Sequence, residues 1–363
     1  MWFKNLIVYR VPAPWDLSAE ALDAQLQRLA FTPGSSVEET SIGWVPPREG
    51  DPALVYSVDR QMLIVLRQEK KLLPAKVVTQ VLRQRVEKIE EEEGFKPGRK
   101  RMKELKEQVR DELLPRAFSL ASDTRVWIDP VHGWLVVDAG SAGKAEEAFS
   151  LLVKAIDRFP ARPLKVAGAP AGAMTAWLVS GEAPAGFSVD QDAELKARGG
   201  KATVRYANQS IEQDDIARHT KAGKECTKLA LTWNDRISLV LTDKLELKRI
   251  RPLDILKETA GSDGANADAD ERFAIDMTLM TGELAKLLAD VVDALGGEAP
   301  AGAGAEGAAA VAGTASAPAG ASGPASPARA DAETRATGGR TSGSGATTAA
   351  AATSTDDSPP WDP

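Results

Sequence analysis

The chain has 363 residues, 43% of them hydrophobic, with a formal net charge of −7, one cysteine and two histidines. That is enough apolar material to bury a core in two or three domains, while a single Cys226 excludes an internal disulfide framework, and with only His132 and His219 beside it a zinc site of nitrogen and sulfur ligands is nearly impossible, though counting leaves carboxylate-bound magnesium open. Lys4 and Arg10 interrupt the early apolar stretch Leu6-Ile7-Val8, and no window is apolar over the thickness of a bilayer, so the expectation is a cytoplasmic protein with no signal peptide and no membrane contact.

A strand is predicted over 3–10, followed by a proline-marked turn and a helix over 18–30 with Leu22, Leu26 and Leu29 inward. The apolar runs 53–58 and 62–67 flank Asp59-Arg60-Gln61 and read as a hairpin. A helix begins near Pro74, turns Val77, Val78, Val81, Val86 and Ile89 inward, and breaks at Gly94 after an acidic run. The next helix, over 97–114, is stopped by Pro115. These two form an antiparallel hairpin whose apolar stripes are narrow, and it is expected to stand away from the body.

The second helix of the pair carries the strongest signal in the chain. Lys96–Arg110 holds seven bases and two acids inside an acidic protein. At about 100° per residue, Arg99, Lys103, Lys106 and Arg110 share one narrow arc. Met102, Leu105, Val109 and Leu113 fill the neighbouring arc, and Glu104, Glu107 and Asp111 lie beyond the basic one. A helix that packs by one stripe and presents an unbroken basic stripe beside it suits a row of phosphates. A solvated face is the other reading, although such faces usually intersperse their signs.

Strands follow over 124–129 and 134–138 around the turn Pro130–Gly133, then a helix over 141–158 with Ala145, Ala148, Phe149, Leu152 and Ile156 inward. Phe159–Pro163 reads as a domain boundary. Beyond it come short helices over 174–180 and 192–198, a strand over 203–207 and a helix over 213–219. A three-strand meander follows over 227–232, 236–242 and 245–251, and a last helix over 281–295 ends at Gly296-Gly297. The fold class is α+β, with antiparallel sheets and helices. The domains are 1–73 plus 117–160, a central α+β unit; 74–116, the projecting helical hairpin; and 164–297, a second α+β unit. The last, 298–363, is a low-complexity acidic tail expected to be disordered. From Gly296 onward seven acids face three arginines, a net −4, so residues 1–295 sum to about −3 and the acidic total does not exclude a polyanion partner. The tail ends in Asp356-Asp357-Ser358-Pro359-Pro360-Trp361-Asp362-Pro363, where Trp361 among acids is either a docking element for a partner or a solvated end.

Catalytic patterns are weak. Asp138–Ala145 lies between a strand and a helix as a phosphate loop does, but Asp138 stands where the first glycine belongs and Ala145 where the hydroxyl belongs. Neither histidine has a nucleophile at a recognisable spacing. Asp123, Asp129 and Asp138 bracket a hairpin and suit either two metals or ordinary turns. No cofactor is assigned.

Taken in order, several motifs resemble the recombination-associated RdgC family of bacterial nucleoid proteins. They are Trp2-Phe3-Lys4-Asn5-Leu6, Val8-Tyr9-Arg10, Ala30-Phe31-Thr32-Pro33 and Gly43-Trp44-Val45-Pro46-Pro47. The long hairpin, Leu113–Ser119 and Trp127-Ile128-Asp129 follow. The second half adds Ala222-Gly223-Lys224, Thr227–Trp233 and Leu279–Leu284. The resemblance covers residues 2–297 and says nothing of the tail. It implies a ring-shaped homodimer with a basic hole wide enough for duplex DNA, nucleoid association, and binding of double- and single-stranded DNA with little sequence preference. It also implies competition with RecA for DNA and no catalytic activity. The residues expected to touch DNA are Arg99, Lys100, Arg101, Lys103, Lys106 and Arg110 on the basic helix. Arg116 and Phe118 join them at what is expected to be a projecting tip, where Phe118 is a wedge, a subunit contact or a core aromatic. Arg205, Gln209, Lys221 and Lys224 in the second domain are either the other arc of a ring or ordinary surface residues. The alternatives are a protein–protein adaptor in replication or recombination and, third, a metal-dependent nuclease.

Overall fold

The computed structural model describes residues 2–256, 258 and 267–300, so the tail from 301 onward, with Trp361, lies outside the described residues. Its first residues are held to the body: Glu298 pairs with Arg10 at 2.7 Å and the Ala299 N–H donates to the Lys165 carbonyl at 3.0 Å. Its strands are β1 (Leu6–Arg10), β2 (Thr40–Val45), β3 (Val55–Val58), β4 (Gln61–Lys71), β5 (Ser119–Asp129), β6 (Trp134–Asp138) and β7 (Arg162–Pro163). The second half adds β8 (Phe187–Ala197), β9 (Thr203–Tyr206), β10 (Lys224–Trp233), β11 (Ile237–Thr242) and β12 (Leu247–Pro252). The helices are α1 (Ala19–Leu26), α2 (Ala75–Glu93), α3 (Arg99–Leu113), α4 (Ala142–Ala155), α5 (Pro170–Ser180), α6 (Gln213–Lys221) and α7 (Ala269–Ala294). The fold is α+β.

All twelve strands join one antiparallel sheet, in the order β2-β4-β5-β6-β1-β12-β11-β10-β8-β9, with β3 on β4 and β7 on β1. The two halves meet where Leu6 of β1 pairs with Leu247 of β12. Alternation along the strands sends side chains to two separate cores. On one face Val126, Ile128, Leu135, Val137, Ile64 and Leu66 pack with Leu22 and Leu26 of α1 and Ala145, Ala148 and Leu152 of α4. On the opposite face Trp127, Val136, Leu6 and Leu63 join Leu229, Leu231, Leu239 and Leu247 under α5, α6 and α7. The helices therefore cover one face of the sheet in the first half and the other face in the second.

Local chemistry explains most of the elements. Ser18 caps α1 by accepting the Ala21 N–H at 3.1 Å. Gly94 takes the left-handed conformation (φ 80°) that ends α2. Asp268 and Glu271 form a reciprocal capping box at the start of α7.

Some expectations need correction. Residues 192–198, read as a helix, are mostly the end of β8: Ala193 and Leu195 alternate into the core and pair with Leu229 and Cys226. Tertiary pairing overrides the helix propensity of Glu194–Ala197. The last helix begins twelve residues earlier than expected, at Ala269, because the Asp268 cap lies that far upstream. β2 was not anticipated; it pairs with β4 from Thr40↔Lys70 to Val45↔Val65. In α2 Val78 is buried as expected, but the other buried position is Leu82, one turn on at i+4, and Val77 is 41% exposed.

Candidate nucleic-acid interface

The α2–α3 hairpin leaves the sheet after β4 and returns at β5. Its buried residues, Val78, Leu82, Leu105 and Val109, join neither core. The helices close on each other instead, clamped by Arg85, whose two Nη atoms donate to Glu112 at 2.7 and 3.1 Å. Burial of Leu105 and Val109 fixes the rotation of α3 about its axis. The neighbouring arc of Arg99, Lys103 and Lys106 consequently faces solvent, and these three form no ion pair among the described residues. Arg110 is exposed but ion-paired to Glu39, just ahead of β2. Lys100 and Arg101 are exposed and lie off the stripe by helical periodicity, on opposite sides of it.

Arg116 and Phe118 are not at the tip. Arg116 ends the 3-10 turn Leu114–Arg116, and the Phe118 carbonyl accepts the Leu72 N–H at 2.7 Å, one step beyond the Lys71↔Ser119 pair. They sit at the root, where the hairpin rejoins the sheet, because Pro115 ends the helix and the strand begins four residues later. Phe118 is 83% exposed, which removes the core role. Leu72 and Leu120, 51% and 58% exposed, share its face of the ribbon. The aromatic at the tip is Phe95, 64% exposed, which sequence reasoning passed over; its signal is a bulky apolar residue between Gly94 and Gly98, a turn with no core to enter.

The second-half candidates fall in two places. Arg205 is exposed on β9 and Gln209 is exposed in the loop beyond, where Asp192 accepts the Asn208 N–H at 2.9 Å. Lys221 ends α6 and Lys224 begins β10; the Lys224 Nζ lies 3.4 Å from His219 Nδ1. Burial, then the charges of Lys224 and Arg218, push the His219 imidazole below its ordinary value.

The three aspartates have separate environments. Asp123 pairs with Arg67 through two hydrogen bonds of 2.7 and 2.8 Å. Asp129 is fully buried, 2.6 Å from His132 Nδ1, and accepts the N–H groups of Val131 and His132. Asp138 accepts the N–H groups of Lys4 and Asn5, and burial raises its carboxyl above the ordinary range. Asp123 and Asp129 are six residues apart on one strand, roughly 20 Å, whereas the ions of a two-metal site are about 4 Å apart.

Residues 1–298 match the family model described as "Putative exonuclease, RdgC". The chain belongs to the RdgC family. It is 58% identical over 299 residues to the recombination-associated protein RdgC of Janthinobacterium sp. (strain Marseille), covering 82% of this chain and 99% of that one. The proteins of the same name from Burkholderia orbicola (strain MC0-3) and Bordetella pertussis (strain Tohama I) are 57% and 55% identical over the same length, covering 96% and 99% of their chains. The RdgC match ends where the low-complexity tail begins, so the matched region is the part that holds the sheet and the hairpin.

Proposed function

We propose that the chain binds DNA through its backbone without reading sequence, encircles the duplex as a homodimer, and restrains RecA by competing for the same DNA. The observation that carries the reading is the solvent-facing row Arg99, Lys103 and Lys106, set by the burial of Leu105 and Val109 beside it. Phosphate contacts position a protein on DNA and carry no base information, which is what a one-sided row of cations provides. The name shared by the relatives supports a role in recombination. Among the described residues no helix is long and apolar enough to cross a membrane.

The test compares closed-circular with linear duplex of the same length. A closed ring is retained on the circle after the salt is raised and slips off the free ends of the linear form. Equal retention on both contradicts encirclement, and no binding to either contradicts the DNA reading. The same preparation, incubated with DNA and RecA, is expected to slow filament growth in proportion to its occupancy of the DNA.

A second reading rests on the family description, which names an exonuclease. It predicts shortening of end-labelled DNA in magnesium, abolished in Asp129→Asn or Asp138→Asn. The first reading predicts intact DNA under those conditions.

A further inference from the structure

The four cations of the row on α3 are not equivalent. Arg99, Lys103 and Lys106 form no ion pair among the described residues, whereas Arg110, which completes the row by helical periodicity, is held by the Glu39 carboxylate. Arg110 lies in the last turn of α3, near the root, and Glu39 belongs to the body. The other ion pairs of the hairpin, Arg83–Glu87, Arg85–Glu112 and Lys96–Glu90, are internal to it. Among the described residues, Arg110–Glu39 is thus the only ion pair that joins the hairpin to the rest of the chain.

Glu39 stands on a fixed frame. Its carbonyl accepts the Lys71 N–H at 2.9 Å, continuing the β2–β4 ladder one step past Thr40↔Lys70. The loop ahead of it is closed on itself: the Ser35 N–H donates to the Glu38 carboxylate at 2.7 Å, and the Glu38 N–H to the Ser35 carbonyl at 3.2 Å. Glu38 is engaged there, and Glu39 is the carboxylate that reaches α3. The hairpin meets this frame with little apolar cover. Its buried residues join neither core, and Leu72, Val77, Phe118 and Leu120 around the root are all exposed. Pro74 precedes α2 and Pro115 follows α3, so neither helix runs unbroken into its strand. With so little packing at the root, the pair and the Leu72–Phe118 hydrogen bond of 2.7 Å weigh heavily in how the hairpin sits on the sheet.

We infer that Glu39 is a built-in competitor for DNA: it occupies Arg110 in the free chain, latches the last turn of α3 to the edge of the sheet, and yields the guanidinium to a phosphate when a duplex lies along the row. This rests on the proposed DNA reading and adds a regulation to its site. A guanidinium takes a carboxylate or a phosphate by the same charge-assisted hydrogen bonds, so the two compete for it. The Arg110 and Glu39 side chains are 51% and 46% exposed, which leaves the pair open to exchange and weak enough to be displaced. The coupling is reciprocal: bound DNA releases the latch, and a chain without the latch binds DNA more tightly.

The experiment measures the affinity of the full chain for fluorescein-labelled duplexes of two unrelated sequences by anisotropy. It compares the wild type, Glu39→Gln, Arg110→Gln and the double variant at about 0.15 M salt, where charges are screened beyond about 8 Å. Glu39→Gln is expected to bind both duplexes more tightly, by up to about fivefold, the worth of an exposed ion pair. Arg110→Gln is expected to bind both more weakly, and in its background the gain from Glu39→Gln should disappear. That cycle separates a latch from general relief of negative charge, which tightens binding equally with or without Arg110. Hydrogen exchange of the free chain is the second measurement: the Leu72 amide at the root should exchange faster in both single variants than in the wild type. Weaker or unchanged binding by Glu39→Gln, a gain that persists in Arg110→Gln, or equal Leu72 exchange in all chains overturns the latch and leaves the DNA reading standing. If the wild-type chain binds neither duplex, the DNA reading itself fails and the latch falls with it.

Discussion

Arg85 of α2 and Glu112 of α3 are joined by two parallel hydrogen bonds, 2.7 and 3.1 Å, and together they clamp the hairpin that carries the basic stripe. The Arg85 hydrogen bonds hold the Glu112 carboxyl below its ordinary value of 4.5. A carboxylate favoured in this way stabilises the folded form above its ordinary value, and the contribution disappears as pH falls through the lowered one. Glu112 is solvent-exposed and Arg85 only half-buried, so the effect is local and modest. Protection factors for the amides of α3 are expected to fall on acidification below about 4.5, and Glu112→Gln should lower protection at neutral pH and remove that dependence. Identical pH profiles for the variant and the wild type would contradict the clamp.

Gly43 is packed too closely to accept a side chain. A Cβ there meets the Phe31 Cα at 2.4 Å and its N at 2.6 Å, both backbone atoms that cannot rotate away. Gly43→Ala is expected to destabilise the first half of the sheet by at least 1–3 kcal/mol, roughly the cost of overpacking a core. Chemical denaturation measures it, and an unchanged midpoint contradicts the close approach.

Phe118 and Leu284 separate surface from core. Phe118→Ala, at 83% exposure, should leave the unfolding free energy within about 0.5 kcal/mol of wild type. Leu284→Ala, at a fully buried position of α7 in the core beneath the second half, should cost about 2–5 kcal/mol. A large loss of stability for Phe118→Ala contradicts its exposure. With stability intact, any change in DNA affinity or oligomeric mass belongs to the apolar face it shares with Leu72 and Leu120.

Much of this arrangement is legible from local pattern. The hairpin boundaries follow from Gly94 and Pro115, and the rotation of α3 follows from the spacing of Leu105 and Val109. The α4 stripe is also visible as Ala145, Ala148 and Leu152. What depends on distant pairing is less legible. Residues 192–198 look helical until β10 is beside them, and β2 is a short strand recognised only by its partner β4. The root position of Phe118 depends on Leu72, which lies across the whole hairpin. Arg249 looks like an ordinary strand cation until the bulge on β12 and the sheet order bring its Nη1 within 3.9 Å of Asp192 on β8.

The central claim is that the exposed row on α3 holds phosphates. Its direct measurement is the salt dependence of duplex affinity for the triple variant Arg99→Glu, Lys103→Glu, Lys106→Glu against the wild-type chain. Unfolding midpoints should agree, since none of the three residues is buried. The log–log slope is expected to flatten by about two to three units, close to 0.9 for each phosphate left without its cation, equally for unrelated sequences. An unchanged slope and affinity in a folded variant would contradict the assignment of the stripe.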